Sequence, residues 1–370
     1  MLRLVKKPEE ILRILVTGGA GFIGSYFVRR LEMSAENEIL VYDNLHPQVH
    51  GNEAVPPIFG PKVEFIRGDV RDASLLRETI KRFRPNAIAH LASETGTGQS
   101  HDEISRYADV NIMGTTYLFE GIRAMGRELD WFLLTSSRAV YGEGAYINSQ
   151  HRLMANVVRR LGDLEAGRFG VYDSNGLELT SIPSSSIITP TPLSVYAATK
   201  LTQEHLARSI LSTSNARLLI YRFQNVFGAG QSLINPYTGV LSIFISRLLQ
   251  GKPIGIYEDG EVSRDFIYVD DVVAAMIAGI SRDVRPERPL DIGSGNASKI
   301  YDVAIKLARL AGYEGFDLPI TGEFRPGDIR HAVADTSYSR SVLEWSPKVS
   351  LEEGLERLYV WAKDRISFPS

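Results

Sequence analysis

The sequence predicts an α/β chain: a doubly wound parallel sheet with a smaller α/β lobe near the C-terminus. Three observations point there. Short apolar runs alternate with helical stretches through residues 11–135, the pattern of βαβ units and a parallel sheet. A glycine-rich turn, Thr17-Gly-Gly-Ala-Gly-Phe-Ile-Gly24, joins the first run to the first helical stretch. After Phe223 the chain becomes irregular, with short strands, loops and separated helices, which suits a small lobe completed by several pieces of chain.

The elements follow in order. Residues 11–16 read as a buried parallel strand and 22–33 as the helix after it. Strands are expected at 38–42 and 63–66, a helix at 74–83, a strand at 87–91, one long helix over 101–124 and a strand at 131–135. The alternation stops after Gly144. Residues 145–192 read as an insertion with mixed charge, Gly, Ser and Pro; its middle, 151–164, reads as a helix and its end, 182–192, as an extended loop. A helix at 195–212 and a strand at 216–223 resume the pattern, and helices are expected at 242–250, 269–280, 300–311 and 351–365. The expected division is a Rossmann domain over 1–222, insertion included, and a lobe mainly from 223–370 with segments returning to the first domain.

Composition narrows the class. The 370 residues are 44% hydrophobic and 23% charged, which leaves ample core for a soluble enzyme. Net charge is −3 with no basic stripe, so no nucleic-acid partner is expected. The absence of cysteine removes disulfides, a thiolate nucleophile and cysteine-ligated zinc, and fits the reducing cytoplasm. No apolar run reaches the ~18 residues of a membrane span, and the charged residues 1–10 are not a secretory signal. The seven histidines show no metal-ligand spacing, so no metal is expected.

The glycine turn carries the first chemistry. Gly18, Gly21 and Gly24 sit between a strand and a helix, where backbone N–H groups and the helix dipole attract a pyrophosphate. Phe22 and Ile23 complete the turn. Asp43 ends the second strand, nineteen residues after Gly24, where an acid binds ribose hydroxyls and repels a 2′-phosphate. The cofactor expected is therefore NAD rather than NADP. Asn44 follows this acid, Asp69-Val70 is placed to meet the adenine, and Leu91-Ala92-Ser93 is placed along the cofactor.

A second constellation supplies a proton relay. Ser136-Ser137 ends an apolar run, and Tyr196-Ala-Ala-Thr-Lys200 follows later. On a helix the four-residue spacing sets the Tyr196 and Lys200 Cβ atoms roughly 5–6 Å apart. A tyrosine base working near neutrality needs its pKa lowered by about three units, or about 4 kcal/mol. A unit charge at about 4 Å supplies a term of that size at an effective dielectric of about 20. The expectation is that the lysine ammonium nearly suffices and that Ser137 orients the substrate oxygen. Tyr196 and Lys200 would also touch the cofactor.

With these residues the chain resembles the extended short-chain dehydrogenase/reductase family, and within it the nucleotide-sugar epimerases and dehydratases. The likeness runs from about residue 11 to residue 363, interrupted by the insertion. Arg222-Phe-Gln-Asn225-Val-Phe-Gly228 is similar to the family's strand bearing an asparagine for the substrate diphosphate. Ser263-Arg264-Asp265-Phe-Ile-Tyr268 is similar to its diphosphate-arginine segment, and Arg325-Pro-Gly-Asp328 supplies a second arginine. The planar arginine fork matches paired oxygens. The resemblance also implies that Thr95, Ser137, Arg138, Tyr257 and Asp328 face the substrate and Phe223 the cofactor.

The family's sugar 4,6-dehydratases carry an Asp-Glu pair just after the catalytic hydroxyl residue, for eliminating water. Here Arg138 and Ala139 stand there, which disfavours that chemistry. The remaining likeness is to 4-epimerases; segments 90–100, 136–146 and 235–244 resemble the group acting on dTDP-L-rhamnose. It implies C4 epimerisation of a dTDP- or UDP-linked hexose through a 4-keto sugar, with NAD regenerated each cycle. It also implies a homodimer joined through helices 101–124 and 195–212. Two alternatives stay open: a one-way 4-dehydrogenase or 4-ketoreductase with the same residues, and a non-catalytic sensor of NAD or nucleotide sugar. The insertion is expected over or beside the sugar pocket.

Overall fold

The computed structural model describes residues 11–367, apart from 35, 52–54, 155, 236, 238, 314–317 and 326. The charged residues 1–10 lie outside them. Strands β1 (Leu12–Thr17), β2 (Asn37–Asp43), β3 (Val63–Arg67), β4 (Ala87–His90) and β5 (Trp131–Ser137) come first. The insertion holds β6 (Ala145–Ile147), β7 (Leu153–Met154) and β8 (Thr180–Ile182). Then follow β9 (Arg217–Phe223), β10 (Asn225–Phe227), β11 (Ser263–Tyr268), β12 (Leu290–Ile292) and β13 (Ala297–Lys299).

Seven strands form one sheet in the order β12–β9–β5–β4–β1–β2–β3, all parallel. Both faces are buried, so the strands read as continuous apolar runs. Alternate residues serve opposite faces: Ile14 and Val16 of β1 join one core cluster, and Leu15 joins the other. Ile39 and Val41 of β2 divide from Leu40 and Tyr42 in the same way. Strand order reverses between β1 and β4, and a crevice opens beyond the carboxyl ends of the strands at such a switch point. That crevice is where the glycine turn, the β4 loop and Ser137 all lie. β12 and helix Val269–Ser281, from the second half of the chain, pack onto this first sheet. β10, β11 and β13 form a separate small sheet.

Two expected elements differ. The segment read as one helix over 101–124 is broken into Gln99–Asp102, Ile104–Tyr107, a π-helical turn Ala108–Met113, and Gly114–Met125. The side chain of Asn111, inside the π turn, accepts from Glu94 N at 2.8 Å and donates to Thr199 Oγ1 at 2.9 Å. These non-helical bonds hold the widened turn in place. The helix expected over 151–164 is not formed there. Asn148 Oδ1 accepts from Gln150 N and Arg152 N, both at 3.0 Å, and folds the chain back so that β7 pairs with β6. β8 pairs on the other side of β6, and Tyr146, Val171 and Leu179 form a small core of their own. Among the described residues of the insertion only Leu161–Glu165 is helical.

Candidate active site

The cofactor side of the crevice is made mostly of backbone. Helix Phe22–Glu32 starts at Gly21 with no side chain capping its first turn, so those N–H groups remain free to bind an anion. Gly18 has φ +71°, and a Cβ there would lie 2.5 Å from Ala92 N. A Cβ on Gly24 would collide with the Gly18 carbonyl oxygen, whereas one on Gly21 would meet only that oxygen, at 3.3 Å. Gly18 and Gly24 thus allow turn, helix and β4 loop to touch, and Gly21 keeps the approach clear. The Asp43 carboxylate accepts from Ala20 N at 3.0 Å and Leu45 N at 2.9 Å, which fixes it at the end of β2. Asp69 is gripped by Arg71 and accepts from Asn44 Nδ2 at 3.0 Å; the Arg71 hydrogen bonds hold its pKa down to about 2.

A cavity of about 130 Å³ gathers Gly18, Gly21, Asp43, Asn44, Asp69, Val70, Leu91, Ala92 and Ser93. Thr95, expected at the substrate, lines this cavity instead. The loop after β4 is turned so that the Thr95 carbonyl accepts from the Tyr107 hydroxyl at 2.6 Å; Thr97 and Gly98 reach the neighbouring cavity in its place. Gly24, Phe22 and Ile23 line neither cavity. Phe22 packs edge-on against Tyr26, and both Phe22 and Ile23 lie against the core. The uncapped helix start, the cleared glycine and the fixed ribose-side acid fit an NAD.

The larger cavity, of about 650 Å³, is lined by Ser137, Arg138, Tyr196, Phe223, Asn225, Tyr257, Arg264, Arg325 and Asp328. Phe223, expected at the cofactor, faces this space. Ser137 comes from the end of β5. Tyr196 and Lys200 come from helix Val195–Leu211, whose start is capped by Ser194 Oγ accepting from Ala197 N at 3.1 Å. The Ser137 side chain lies close to the Tyr196 hydroxyl, and the Tyr196 ring stands edge-on to Tyr107. Burial pushes Tyr196 up while Ser137 pulls it down. Burial also pushes Lys200 down to about 7, against the opposing pull of Glu204. Burial thus acts against the Lys200 ammonium that the sequence places one helical turn from the phenol. A cationic ring bound alongside is the further charge that the relay calls for.

Beneath the relay lies a buried ion pair that the sequence reading missed. Glu204 accepts from Ser136 Oγ at 2.5 Å and from Arg222 at 2.9 and 2.7 Å. Arg222 also lies over the Tyr141 ring, and Tyr141 donates to Asp291 Oδ1 at 2.6 Å. β5, the relay helix, β9 and β12 are thereby tied at one depth. The one signal in the sequence is the spacing of Glu204, one helical turn past Lys200. Asn111 was missed too, because a helical pattern hides a π turn. His90 lies between Thr17 Oγ1 at 2.7 Å and Thr115 Oγ1 at 2.9 Å, and burial pushes it down to about 3, so it is neutral.

On the far wall Arg264 is 8% exposed, and its Nη2 donates to Asp328 Oδ1 at 2.8 Å. Arg325 is exposed and its guanidinium lies 5.0 Å from the Tyr257 ring centre. Arg138 is buried and donates to Gly142 O at 3.0 Å; burial, then the nearby Arg264 charge, pushes it down to about 10.

This fold, with a dinucleotide cleft meeting a Ser-Tyr-Lys relay, belongs to a known class: the chain is a member of the NAD dependent epimerase/dehydratase family, whose model matches residues 14–162 and 166–293. It is 44% identical over 350 residues to a dTDP-L-rhamnose 4-epimerase of Burkholderia thailandensis, covering 94% of each chain. Among solved structures it is similar to the UDP-glucose 4-epimerase of Thermotoga maritima with UDP-glucose (27% identity, TM-score 0.78, 96% of this chain and 100% of that one). It is also similar to the UDP-glucuronic acid 4-epimerase of Bacillus cereus in complex with UDP-glucuronic acid and NAD (26% identity, TM-score 0.77, 95% of this chain and 99% of that one). Among the described residues no helix is long and apolar enough to cross a membrane.

Proposed function

We propose that this chain inverts C4 of a nucleotide-diphosphate hexose, with dTDP-L-rhamnose as its substrate. The observation that carries the reading is the Ser137–Tyr196 hydroxyl pair on the wall of the larger cavity, with Arg138 and Ala139 where a dehydratase would place its acid and base. The 44% identity to a dTDP-L-rhamnose 4-epimerase supports the choice of sugar.

Bound NAD supplies the hydride acceptor and donor for C4. The chain handles the protons and the positioning. Tyr196 takes the C4 hydroxyl proton and later returns it, and Ser137 holds the substrate oxygen in line. Lys200, when protonated, favours the phenolate. Asn225, Arg264 and Arg325 hold the diphosphate. The cavity of about 650 Å³ leaves the 4-keto sugar room to turn between the two hydride transfers. The working unit is a homodimer joined through the helices of residues 99–125 and 195–211; exposed Ile104, Met113 and Ile210 on these segments support it.

The test is proton NMR of the sugar ring after incubating the purified enzyme, without added cofactor, with dTDP-L-rhamnose, UDP-glucose and UDP-N-acetylglucosamine. A new C4-epimer from dTDP-L-rhamnose is expected. No epimer from any of them, followed by NADH absorbance once NAD is supplied, would make the enzyme a one-way dehydrogenase. Light scattering checks the dimer, and a monomer mass would remove it.

A further inference from the structure

No residue of the 145–192 insertion lines the larger cavity among the described residues. The insertion stands behind its walls, and one side chain carries much of the connection. The Arg159 side chain is 3% exposed. Its Nε donates to Glu143 Oε1 at 3.0 Å, its Nη1 to both Glu258 carboxylate oxygens at 2.8 Å, and its Nη2 to the Asp328 carbonyl at 2.6 Å.

Those three acceptors belong to three different walls. Glu143 follows the 3-10 turn Arg138–Tyr141 that leaves Ser137. Glu258 is next to Tyr257, and Asp328 closes the loop that begins at Arg325. Glu258 has φ +57°, a left-handed conformation that a non-glycine residue holds only under external support. That support is the pair Arg159 and Arg330; Arg330 Nη1 donates to Glu258 Oε2, and Arg330 N donates to Glu143 Oε2, each at 2.9 Å. A planar fork with this many charge-assisted bonds fixes angle as well as distance. Among the described residues, the hydrogen bonds and ion pairs of Arg159 go to Glu143, Glu258, Phe169 and Asp328 and not to Ser137, Tyr196 or Lys200.

We propose that Arg159 is a positioning residue and the insertion a brace: it holds the Tyr257 and Arg325–Asp328 loops at the separation that a bound nucleoside diphosphate requires. The brace neither covers the cavity nor reads the sugar. The idea rests on the proposed function in taking a nucleoside diphosphate as the occupant of that end. Replacing Arg159 by an apolar chain would leave Glu143 to the Arg330 N–H and the nearby Arg138 and Arg264 charges, and would remove one of the two guanidinium groups that hold the Glu258 carboxylate. Nucleotide affinity would fall while the proton chemistry, built on β5 and helix Val195–Leu211, would continue.

The experiment is calorimetric titration of dTDP and of UDP into the NAD-containing enzyme, beside steady-state kinetics on dTDP-L-rhamnose, for wild type, Arg159→Met and Arg159→Lys. Arg159→Met is expected to weaken nucleoside-diphosphate binding about tenfold or more and to raise KM alike, with kcat kept within about threefold and NAD content unchanged. Arg159→Lys keeps the charge without the fork and should recover part of the loss. Should Arg159→Met not fold, the double variant Arg159→Met/Glu143→Gln removes the Glu143 charge and should show the same weakening. Unchanged nucleotide affinity in a folded variant, or a fall in kcat at unchanged KM, overturns the brace. A wild type that binds dTDP without epimerising the sugar sinks the proposed reaction alone, because the titration still decides the brace. A wild type that binds neither nucleotide sinks both.

Discussion

Around the glycine turn the chain offers backbone: an uncapped helix start, a left-handed glycine, and an aspartate whose oxygens are held by two main-chain N–H groups. Around the larger cavity it offers side-chain charge, with Arg264, Arg330 and Arg159 held against Asp328, Asp259, Glu258 and Glu143. The first site is assembled within a few residues of chain at each contributing strand end. The second is assembled across long separations: Arg159 meets Glu258 from 99 residues away. A site built on backbone tolerates change in side chains but not in glycine. A site built on buried ion pairs depends on each partner, because the loss of one strands another.

The relay sits where the two sites meet, and substitutions there should separate them most sharply. Tyr196→Phe is expected to lower turnover by about 10³–10⁴ while NAD remains bound; NMR of the sugar and absorbance of the released cofactor check both halves. Near-normal turnover in that variant would remove the relay.

Lys200 gives the next largest effect, in stability. Its pKa falls from 10.5 unfolded to about 7 folded because burial disfavours the ammonium. The unfolded chain then holds the proton more tightly, so this burial cost is fully present below pH 7 and is relieved as pH rises from 7 to 10.5. Against a non-titrating Lys200→Met variant, wild type should be relatively least stable below pH 7. The gap should close by about 1.4 kcal/mol per pH unit above pH 7. Chemical denaturation at a series of pH values reads this directly; a pH-independent gap would show that the lysine does not titrate there.

Glu204→Ala strands Arg222 beneath the relay and should cost about 3–5 kcal/mol of stability, measured by urea unfolding. A drop of less than about 1 kcal/mol would mean that the pair is solvated as surface pairs are. The glycines give the smallest effects and the cleanest contrast. Gly24→Ala forces a Cβ into the Gly18 carbonyl and should cost about 1–3 kcal/mol. Gly21→Ala has more room and should leave stability nearly unchanged while weakening NAD binding. Equal stability losses in both would break the division of roles between these two positions.

The same contrast explains what could be read in the sequence. Six of the sheet's seven strands were legible because they are apolar runs separated by helices; β12, three residues long and set in the irregular last third of the chain, was not. Gly18, Gly21, Asp43, Asn44, Asp69, Val70 and the Leu91–Ser93 run on the smaller cavity could be named because each lies at a strand end, a position that periodicity locates; Gln48, His50, Val110 and Asn235 on the same cavity could not. Tyr196 and Lys200 were found by a local spacing. The brace was not: nothing in the neighbourhood of Arg159 marks its partners, and β6, β7 and β8 are only two or three residues long, too short for any period to show. Thr95 lies on the smaller cavity because the direction of the loop after β4 is set by tertiary bonds, such as that of the Tyr107 hydroxyl to the Thr95 carbonyl.

The π turn at Ala108–Met113 has a consequence for the phase of the helix that contains it. One extra residue in a turn advances every later side chain by about 100° relative to every earlier one. Tyr107 before the turn and Leu118 and Ile122 after it are buried by different parts of the molecule: the β4 loop and Tyr196 on one side, the sheet core on the other. A single uninterrupted α-helix would put Tyr107, Leu118 and Ile122 within about 60° of one another on one face. Deleting one residue within the turn would let it close to an ordinary α-helix with both flanks kept in their present phase.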